Sequence, residues 1–126
     1  MKNGNDMIDM IRRELLRRGV QKVTVDMTNG NRSYMVHGDE WPYHAKWSIQ
    51  WYVKAGPGFT INRDFVDKTL KEKHPFMLFA VNNSPNTIYG CGFHKFVTTA
   101  TEHFQDANGE WVYMIPYKSC EIWCRE

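Results

Sequence analysis

The sequence predicts an α+β fold with a mixed central sheet of about five to six strands and two to three helices. One observation is the pair Asn29-Gly30 between two short alternating segments. It indicates a hairpin of antiparallel strands, because both central residues of a type I′ turn need positive φ. The other is a strand, a helix and a buried strand in succession over residues 46–81, which indicates a right-handed crossover to a parallel neighbour. The core elements therefore follow the order αβββαβ.

The first element is a helix over residues 5–18, where apolar side chains recur at helical spacing. Gly19 matches a C-terminal stop, since glycine adopts positive φ without steric cost. The four arginines of this helix form either a solvated face or a ridge that faces phosphates. Two ion pairs of i,i+4 spacing are available, each worth about 0.2–0.5 kcal/mol: Asp9 with Arg13, and Glu14 with Arg18.

Three strands are expected between the first helix and the second. Residues 20–27 and 33–37 form the two arms of the hairpin. Residues 46–54 are the clearest strand, because tryptophan and aliphatic side chains line one face and polar side chains line the other. The Gly-Pro-Gly sequence within residues 55–58 ends this strand.

A second helix over residues 62–73 leads into a buried strand. Asn62 is a suitable cap, and the apolar run over residues 76–81 suits a central strand that is covered on both faces. Further strands are expected over residues 87–91 and 111–115. The spacing of four apolar residues predicts a third helix between those strands: Phe93, Val97, Ala100 and Phe104.

Length and composition indicate one domain with a packed core. A chain of 126 residues has the size of a single domain, and 14% aromatic residues exclude a disordered chain. No apolar run approaches the ~20 residues that span a bilayer, and the N-terminus lacks the apolar segment of a signal peptide. We therefore expect a single soluble domain over residues 1–126, located in the cytoplasm and without a membrane partner.

Charge and cysteine content leave the partner open. The chain has 16 Lys and Arg residues against 14 Asp and Glu residues. Its pI of 8.4 lies below the value of ~9 that dedicated nucleic-acid binders often exceed. Binding to DNA or RNA is thus permitted but not required. Three cysteines, an odd number, argue against a disulfide framework. The oligomeric state is also open, and a homodimer is compatible with the sequence.

Acidic and basic side chains come together around the strand over residues 46–54. Asp39 and Glu40 lie on the loop before it, Lys54 ends it, and Gln50 lies on its polar face. Glu14 sits at the edge of the apolar face of the first helix. Cleavage of a phosphodiester with Mg²⁺ needs acidic oxygens for the metal and a cation near the attacked phosphate. These residues are therefore candidates for a magnesium-dependent catalytic site, with Asp39 and Glu40 as the metal ligands.

The order αβββαβ and the segment over residues 48–54 resemble the PD-(D/E)XK nuclease-like superfamily across roughly residues 5–81. The resemblance implies an acidic residue near the second strand and an acidic-x-Lys or Gln-x-Lys signature on the third. It assigns the signature lysine to Lys54. It also assigns the acidic positions: Asp39 or Glu40 near the second strand, and Glu14 for the helix acid of some members.

The signature of this chain departs from that pattern at one position. Tyr52 occupies the place of the acidic residue two before Lys54, and Gln50 lies on the correct face but two residues too early. Because of this departure, two alternatives to an active nuclease stay open. One is a degenerate relative that binds nucleic acid, and the other is a protein without catalytic activity.

The cysteines suggest a second kind of site. Cys91 and His94 form a C-x2-H pair, and Cys120 and Cys124 form a C-x3-C pair. Structural zinc takes four such ligands in a closed tetrahedron, so these residues predict a Cys₃His zinc site. The alternative is that they are unliganded buried cysteines, which behave as small apolar side chains.

Aromatic residues are dense in the middle of the chain, near basic residues. Aromatic rings beside arginine or lysine stack on bases, and they also form hot spots for protein partners. Trp47 and Trp51 fall on the apolar face of their strand, which indicates core positions. The candidate binding residues are Trp41, Tyr43, His44, Tyr52 and Arg63.

Two functions are compatible with these observations, and a third depends on zinc. The first is a small protein that acts on nucleic acid, either a magnesium-dependent nuclease or a degenerate relative that binds DNA or RNA. The second is a binding protein without catalytic activity, such as an inhibitor of a protein partner, a ligand-sequestering protein or a phage-encoded anti-defence protein. The third is an interaction module stabilised by zinc.

Overall fold

The computed structural model describes residues 4–28, 33–38, 46–52, 58–71, 75–81 and 85–126. Helix α1 spans Gly4–Arg17, helix α2 spans Arg63–Phe65 and continues as a π-helical turn over Val66–Leu70, and helix α3 spans Phe93–Thr99. A short 3-10 turn covers Tyr117–Ser119. The strands in the described residues are β1 (Val23–Thr28), β2 (Ser33–Gly38), β3 (Lys46–Tyr52), β4 (Gly58–Asn62), β5 (Phe76–Val81), β6 (Thr87–Gly92), β7 (Thr101–Gln105), β8 (Glu110–Pro116) and β9 (Glu121–Arg125).

These strands form two sheets. A six-stranded sheet has the order β1-β2-β3-β5-β6-β9, and a three-stranded sheet has the order β4-β8-β7. In the large sheet β3 and β5 are parallel and every other neighbouring pair is antiparallel. The predicted α+β class, with its mixed sheet, its hairpin β1–β2 and its parallel crossover, is confirmed.

Strand β5 is the centre of the molecule because both of its faces are covered. Leu78 and Ala80 belong to a cluster under α1, whereas Met77, Phe79 and Val81 belong to a second cluster on the opposite face. All five side chains are buried. This is the environment that the continuous apolar run predicted.

Helix α1 covers one face of the large sheet. Ile11 and Leu15 are fully buried and pack in the cluster that also contains Trp123 of β9. The helix ends at Gly19, whose φ of 95° lies in the left-handed region. There the amide of Val20 donates to the carbonyl of Leu15 at 3.0 Å, which completes a Schellman motif. The predicted glycine stop is therefore confirmed.

The three-stranded sheet, α2 and α3 cover the opposite face. Phe59, Ile61 and Phe96 are almost fully buried there, in the same cluster as Phe79. Asn62 caps α2 as predicted, because its side-chain oxygen accepts a hydrogen bond from the amide of Phe65 at 2.9 Å. The small sheet thus forms a layer of its own against the large one.

Two details of the elements differ from the sequence prediction. Strand β4 lies between β3 and α2 and belongs to the small sheet, so one strand is inserted into the order αβββαβ that α1, α2 and the strands of the large sheet follow. The third helix ends at Thr99, and Ala100 is already extended with φ −67° and ψ 147°. Phe104 therefore lies on strand β7. The threonines around the end of α3 explain this, since β-branched residues favour a strand.

The sequence predicts that no segment of the chain spans a membrane. Within the described ranges, no helix is both long enough and apolar enough to cross a membrane.

Candidate functional site

Several residues of the predicted catalytic and binding sites lie outside the described residues: Asp39, Glu40, Trp41, Tyr43, His44 and Lys54. Their assignment, and with it the magnesium site, stays a prediction. Gln50 and Tyr52 lie in β3, in register with Phe79 and Val81 of the buried strand β5. The strand that would carry the nuclease-like signature therefore runs beside the centre of the large sheet.

Glu14, the predicted helix acid, binds arginines of its own helix. Its carboxylate accepts hydrogen bonds from Arg17, with the Nε contact at 2.9 Å, and from Nε of Arg18 at 3.0 Å. The Glu14 side chain is only 12% exposed. The hydrogen bonds from Arg17 lower the pKa of Glu14, and those from Arg18 act in the same direction, although partial burial opposes them. These contacts engage both carboxylate oxygens of Glu14.

The other arginines of α1 are paired as well. Arg12 binds Asp9 at 3.5 Å. Arg13, predicted to pair with Asp9, instead binds both carboxylate oxygens of Glu126 at 2.6 and 2.7 Å. Glu126 gives the shorter and bidentate contact because the edge of the sheet passes beside the helix. Because these arginines are paired with carboxylates, they form a solvated face of ion pairs. They are less suited to a ridge that faces phosphates.

We expect the stabilising effect of Glu14 to depend on pH. Because its pKa is lowered in the folded state, its contribution is complete above the ordinary glutamate pKa of about 4.3 and is lost as the pH falls through the folded-state pKa. The variant Glu14→Gln should therefore be less stable than the wild type by up to about 1 kcal/mol at pH 7. This difference should shrink as the pH falls below 4.

Urea unfolding at several pH values measures that difference. Glu121→Gln, which removes an exposed acid from β9, is the control for the loss of one surface charge. A difference between wild type and Glu14→Gln that grows as the pH falls would contradict the ion-pair assignment.

The four predicted zinc ligands do not come together. Cys91 and Cys120 belong to the cluster under the small sheet, whereas Cys124 packs in the cluster under α1. His94 is exposed on α3. Among the described residues, no three His, Cys, Asp or Glu side chains lie close enough to hold a metal ion.

The predicted zinc ligands are separated because strand β9 is irregular. Ile88 pairs with Cys124 and Tyr89 pairs with Ile122, so β9 has one additional residue opposite this step of β6. Such a bulge shifts the alternation of side chains between the two faces of a sheet. Cys120 and Cys124 would share a face of a regular strand, but the bulge separates them.

The described surface carries one compact group of exposed aromatic side chains, on the hairpin β7–β8. Phe104 and Trp111 face each other across the two strands, with ring centroids 5.5 Å apart and planes at 67°. They are 47% and 43% exposed. The guanidinium carbon of Arg63 lies 4.8 Å from the centroid of the Trp111 ring, and Arg63 also binds Glu102 at 3.2 Å. We call these four residues the hairpin patch.

The backbone below the hairpin patch is held in place by polar contacts. Asn62 donates to Glu110 at 3.0 Å while its oxygen caps α2. The hydroxyl of Tyr113 donates to Asp67 at 2.9 Å and joins β8 to the π-helical turn. Burial, together with that hydrogen bond, raises the pKa of Tyr113 to about 12. The hydroxyl therefore stays protonated at neutral pH and remains a donor.

The hairpin is acidic. Residues 101–116 contain three carboxylates and no lysine or arginine: Glu102, Asp106 and Glu110. The one basic residue of the hairpin patch, Arg63, is neutralised by Glu102. With Glu102 paired to Arg63, the hairpin that carries the exposed rings keeps two further carboxylates, Asp106 and Glu110.

Of the predicted binding residues, Arg63 alone is described with its side chain, and it lies in the hairpin patch. Phe104 and Trp111 were not among the predicted binding residues. The signal that points to them is the turn sequence Asn108-Gly109: the loop over residues 106–109 pairs Gln105 with Glu110 and so places Trp111 opposite Phe104. Residues 101–105 are not assigned to a strand from the sequence, because an apolar pattern with helical spacing ends at Phe104.

Comparison of the chain with protein-family models, with curated proteins and with solved structures finds no match. No family assignment follows, and the resemblance to the PD-(D/E)XK nuclease-like superfamily stays a prediction from the sequence.

Proposed function

We propose that this chain is a non-catalytic binding protein that uses the hairpin patch to bind a protein segment with basic and apolar side chains. The observation that carries this proposal is the pair Phe104 and Trp111, two large rings that contact each other and remain nearly half exposed. Tryptophan and arginine are enriched among the residues that dominate protein-binding energy. An exposed Trp–Arg contact next to a second aromatic ring has this composition.

Rigidity of the hairpin supports the proposal. The Phe104 ring packs on Trp111, and Trp111 is covered on another side by Arg63, so the rings lose little conformational freedom when a partner binds. The turn of the hairpin is fixed by Gly109, whose φ is 65°, and by Asn108, which donates to Glu110 at 3.0 Å. A preformed aromatic surface of this kind binds with a smaller entropic cost than a mobile loop.

Charge favours a protein partner over nucleic acid. A nucleic-acid surface needs basic side chains to neutralise phosphates. The hairpin has three acidic residues, one of them paired with Arg63, and no lysine or arginine; its one histidine is His103. Its negative potential attracts lysine and arginine and repels a phosphate backbone. An inhibitor that masks a basic surface of another protein is the form of this function that fits the charge best.

We also propose a cytoplasmic location, which the cysteines support. Cys91, Cys120 and Cys124 are all free thiols. Thiols persist in reducing compartments, whereas secreted proteins generally oxidise them.

Selection from a random peptide display library on the immobilised full chain tests the proposal without a known partner. We expect enriched peptides that combine lysine or arginine with aromatic or aliphatic residues. The variants Trp111→Ala and Phe104→Ala should each weaken binding of a selected peptide by about 30-fold, the size typical of a hot-spot residue. Fluorescence anisotropy of the labelled peptide measures the dissociation constants.

A matched control is Ile122→Ala, which truncates a side chain that is 51% exposed on β9, in the other sheet. Its affinity should equal that of the wild type. Enrichment of acidic peptides, or equal loss of affinity in the control variant, would overturn the proposal. Circular dichroism of each variant separates loss of binding from loss of folding.

The alternative, a magnesium-dependent nuclease or a relative that binds DNA or RNA, is supported by a different observation. The hydrophobic strand β5 follows β3 and α2 along the chain and lies beside β3, in keeping with the helix and hydrophobic strand that the superfamily resemblance implies after the signature strand. Plasmid cleavage with Mg²⁺ by the wild type, lost in Lys54→Ala and retained in Lys46→Ala, would establish this alternative. Binding of labelled single-stranded DNA or RNA that depends on Lys54 would establish the degenerate form. Equal cleavage, or equal binding, by wild type and Lys54→Ala would remove the site proposed for this alternative.

A further inference from the structure

The thiols of Cys91 and Cys120 form a pair that the hairpin patch does not use. Cys91 lies in β6, and Cys120 directly precedes β9. Because Gly90 pairs with Glu121 in antiparallel register, the next position along the strands places Cys91 opposite Cys120. Both side chains pack in the cluster under the small sheet, where the thiol of Cys91 donates to the carbonyl of Gly92 at 3.5 Å. Both are free thiols in this structure.

The backbone at this position suits a cross-strand link. The amide of Cys120 donates to the carbonyl of Tyr117 at 3.0 Å and so does not bond across to β6. Opposed residues of antiparallel strands have Cα atoms about 4.5–5.5 Å apart, and a disulfide needs about 4.4–6.8 Å. Cys120 is extended, with φ −105° and ψ 155°, as in a continuing strand. The Cα separation expected for such an opposed pair therefore falls within the range that a disulfide spans.

The electrostatic environment favours thiolate formation at one member of the pair. The neighbouring thiol of Cys120 lowers the pKa of Cys91, and the charge of Lys95 on α3 acts in the same direction, whereas burial opposes both. The proximity of Cys91 in turn raises the pKa of Cys120. Cys91 is thus the thiol of the pair that ionises first, and because it is only 2% exposed, peroxide reaches it when the edge strand β9 opens locally. Cys120 is the second thiol, which can resolve an oxidised Cys91.

We propose that Cys91 and Cys120 form a reversible redox site, which hydrogen peroxide converts to an intramolecular disulfide and a dithiol reductant restores. The Cys91 sulfur attacks the peroxide oxygen, the O–O bond breaks, and Cys91 becomes a sulfenic acid while one water is released. The Cys120 sulfur then attacks the Cys91 sulfur, the S–O bond breaks, and the second water is released. Two thiols are oxidised by two electrons, and one peroxide is reduced to two waters. This inference does not depend on the proposed binding function.

Cys124 provides a control within the same chain. It packs on the opposite face of the sheet, in the cluster under α1. Burial raises the pKa of Cys124 to about 12. It has no thiol partner in that cluster and should remain reduced when Cys91 and Cys120 are oxidised.

Mass spectrometry of the full chain after treatment with hydrogen peroxide tests the inference. The wild type and Cys124→Ser should lose two hydrogens, about 2 Da, and dithiothreitol should restore them. Cys91→Ser and Cys120→Ser should form no intramolecular disulfide. Cleavage after Glu121 separates Cys120 from Cys124, so a peptide map identifies which cysteine is linked to Cys91.

Stability provides a second measurement on the wild type alone. A disulfide that closes the chain between residues 91 and 120 should raise the melting temperature by roughly 5–15 °C, and reduction should reverse the rise. A disulfide through Cys124, a disulfide between chains, or oxygen addition to one cysteine without any disulfide would each overturn the inference. Failure of the peptide selection would leave this result unaffected.

Discussion

Replacing Phe79 by alanine should lower the free energy of unfolding by about 3–5 kcal/mol, as truncation of a buried phenylalanine does elsewhere. Phe79 is fully buried in the central strand β5. Its ring stacks on Phe59 of the small sheet, with centroids 4.6 Å apart and planes at 8°. Phe79 therefore joins the two sheets, and its loss leaves a cavity between them that neither sheet can fill without moving.

Urea unfolding followed by circular dichroism measures this change, with an unchanged m-value as the sign of a two-state transition. The matched control is Phe104→Ala, the same substitution at an exposed ring, which should cost less than about 1 kcal/mol. Equal destabilisation by the two variants would contradict the packing described for β5.

The second large effect is expected for Gly58→Ala. A Cβ atom at Gly58 would lie 2.3 Å from the carbonyl oxygen of Ile115 and 2.8 Å from its carbonyl carbon. These atoms belong to the backbone of β8, so they cannot rotate away as a side chain can. Strand β4 would have to move away from β8, and we expect a loss of about 1–3 kcal/mol from this overpacking.

Gly92→Ala is the matched control, because no heavy atom lies within 4 Å of a Cβ at Gly92 and its φ of −66° suits any residue. Its free energy of unfolding should stay within about 0.5 kcal/mol of the wild type. A Gly58→Ala variant as stable as Gly92→Ala would show that β4 does not approach β8 as closely as described.

The sequence was most informative where a local signal and the packing agreed. The apolar run of β5 has no polar position. Such a run predicts a strand with both faces buried, and a hydrophobic cluster does pack on each face of β5. Gly19 ended α1 because its backbone conformation is one that other residues rarely adopt. Such features depend on a few neighbouring residues, so one sequence is enough to predict them.

The small sheet was harder to predict because its pairing is not local. Strand β4 pairs with β8, which lies far along the chain, and a short segment such as Gly58–Asn62 gives a weak signal by itself. The apolar residues up to Phe104 do have helical spacing. Phe104 nevertheless lies in a strand, because its pairing with Trp111 stabilises the strand.

The candidate site could be predicted only in part, for a similar reason. Arg63 was identified as a binding residue, but its aromatic partner Trp111 is brought beside it by the pairing of β4 with β8. The zinc prediction assumed regular alternation between Cys120 and Cys124, and a bulge cannot be foreseen from their spacing. Predictions that use the spacing of residues on one strand fail when the strand is irregular.

The position of β9 has a consequence for synthesis of the chain on the ribosome. Trp123 completes the cluster under α1, and the guanidinium of Arg18 lies 4.5 Å from its ring. Arg18 also donates to the carbonyl of Trp123 at 2.9 Å. Helix α1 therefore lacks part of its apolar cover until Trp123, 105 positions after Arg18, has left the exit tunnel. Until then, the apolar side of α1 that Trp123 covers in the folded protein stays uncovered.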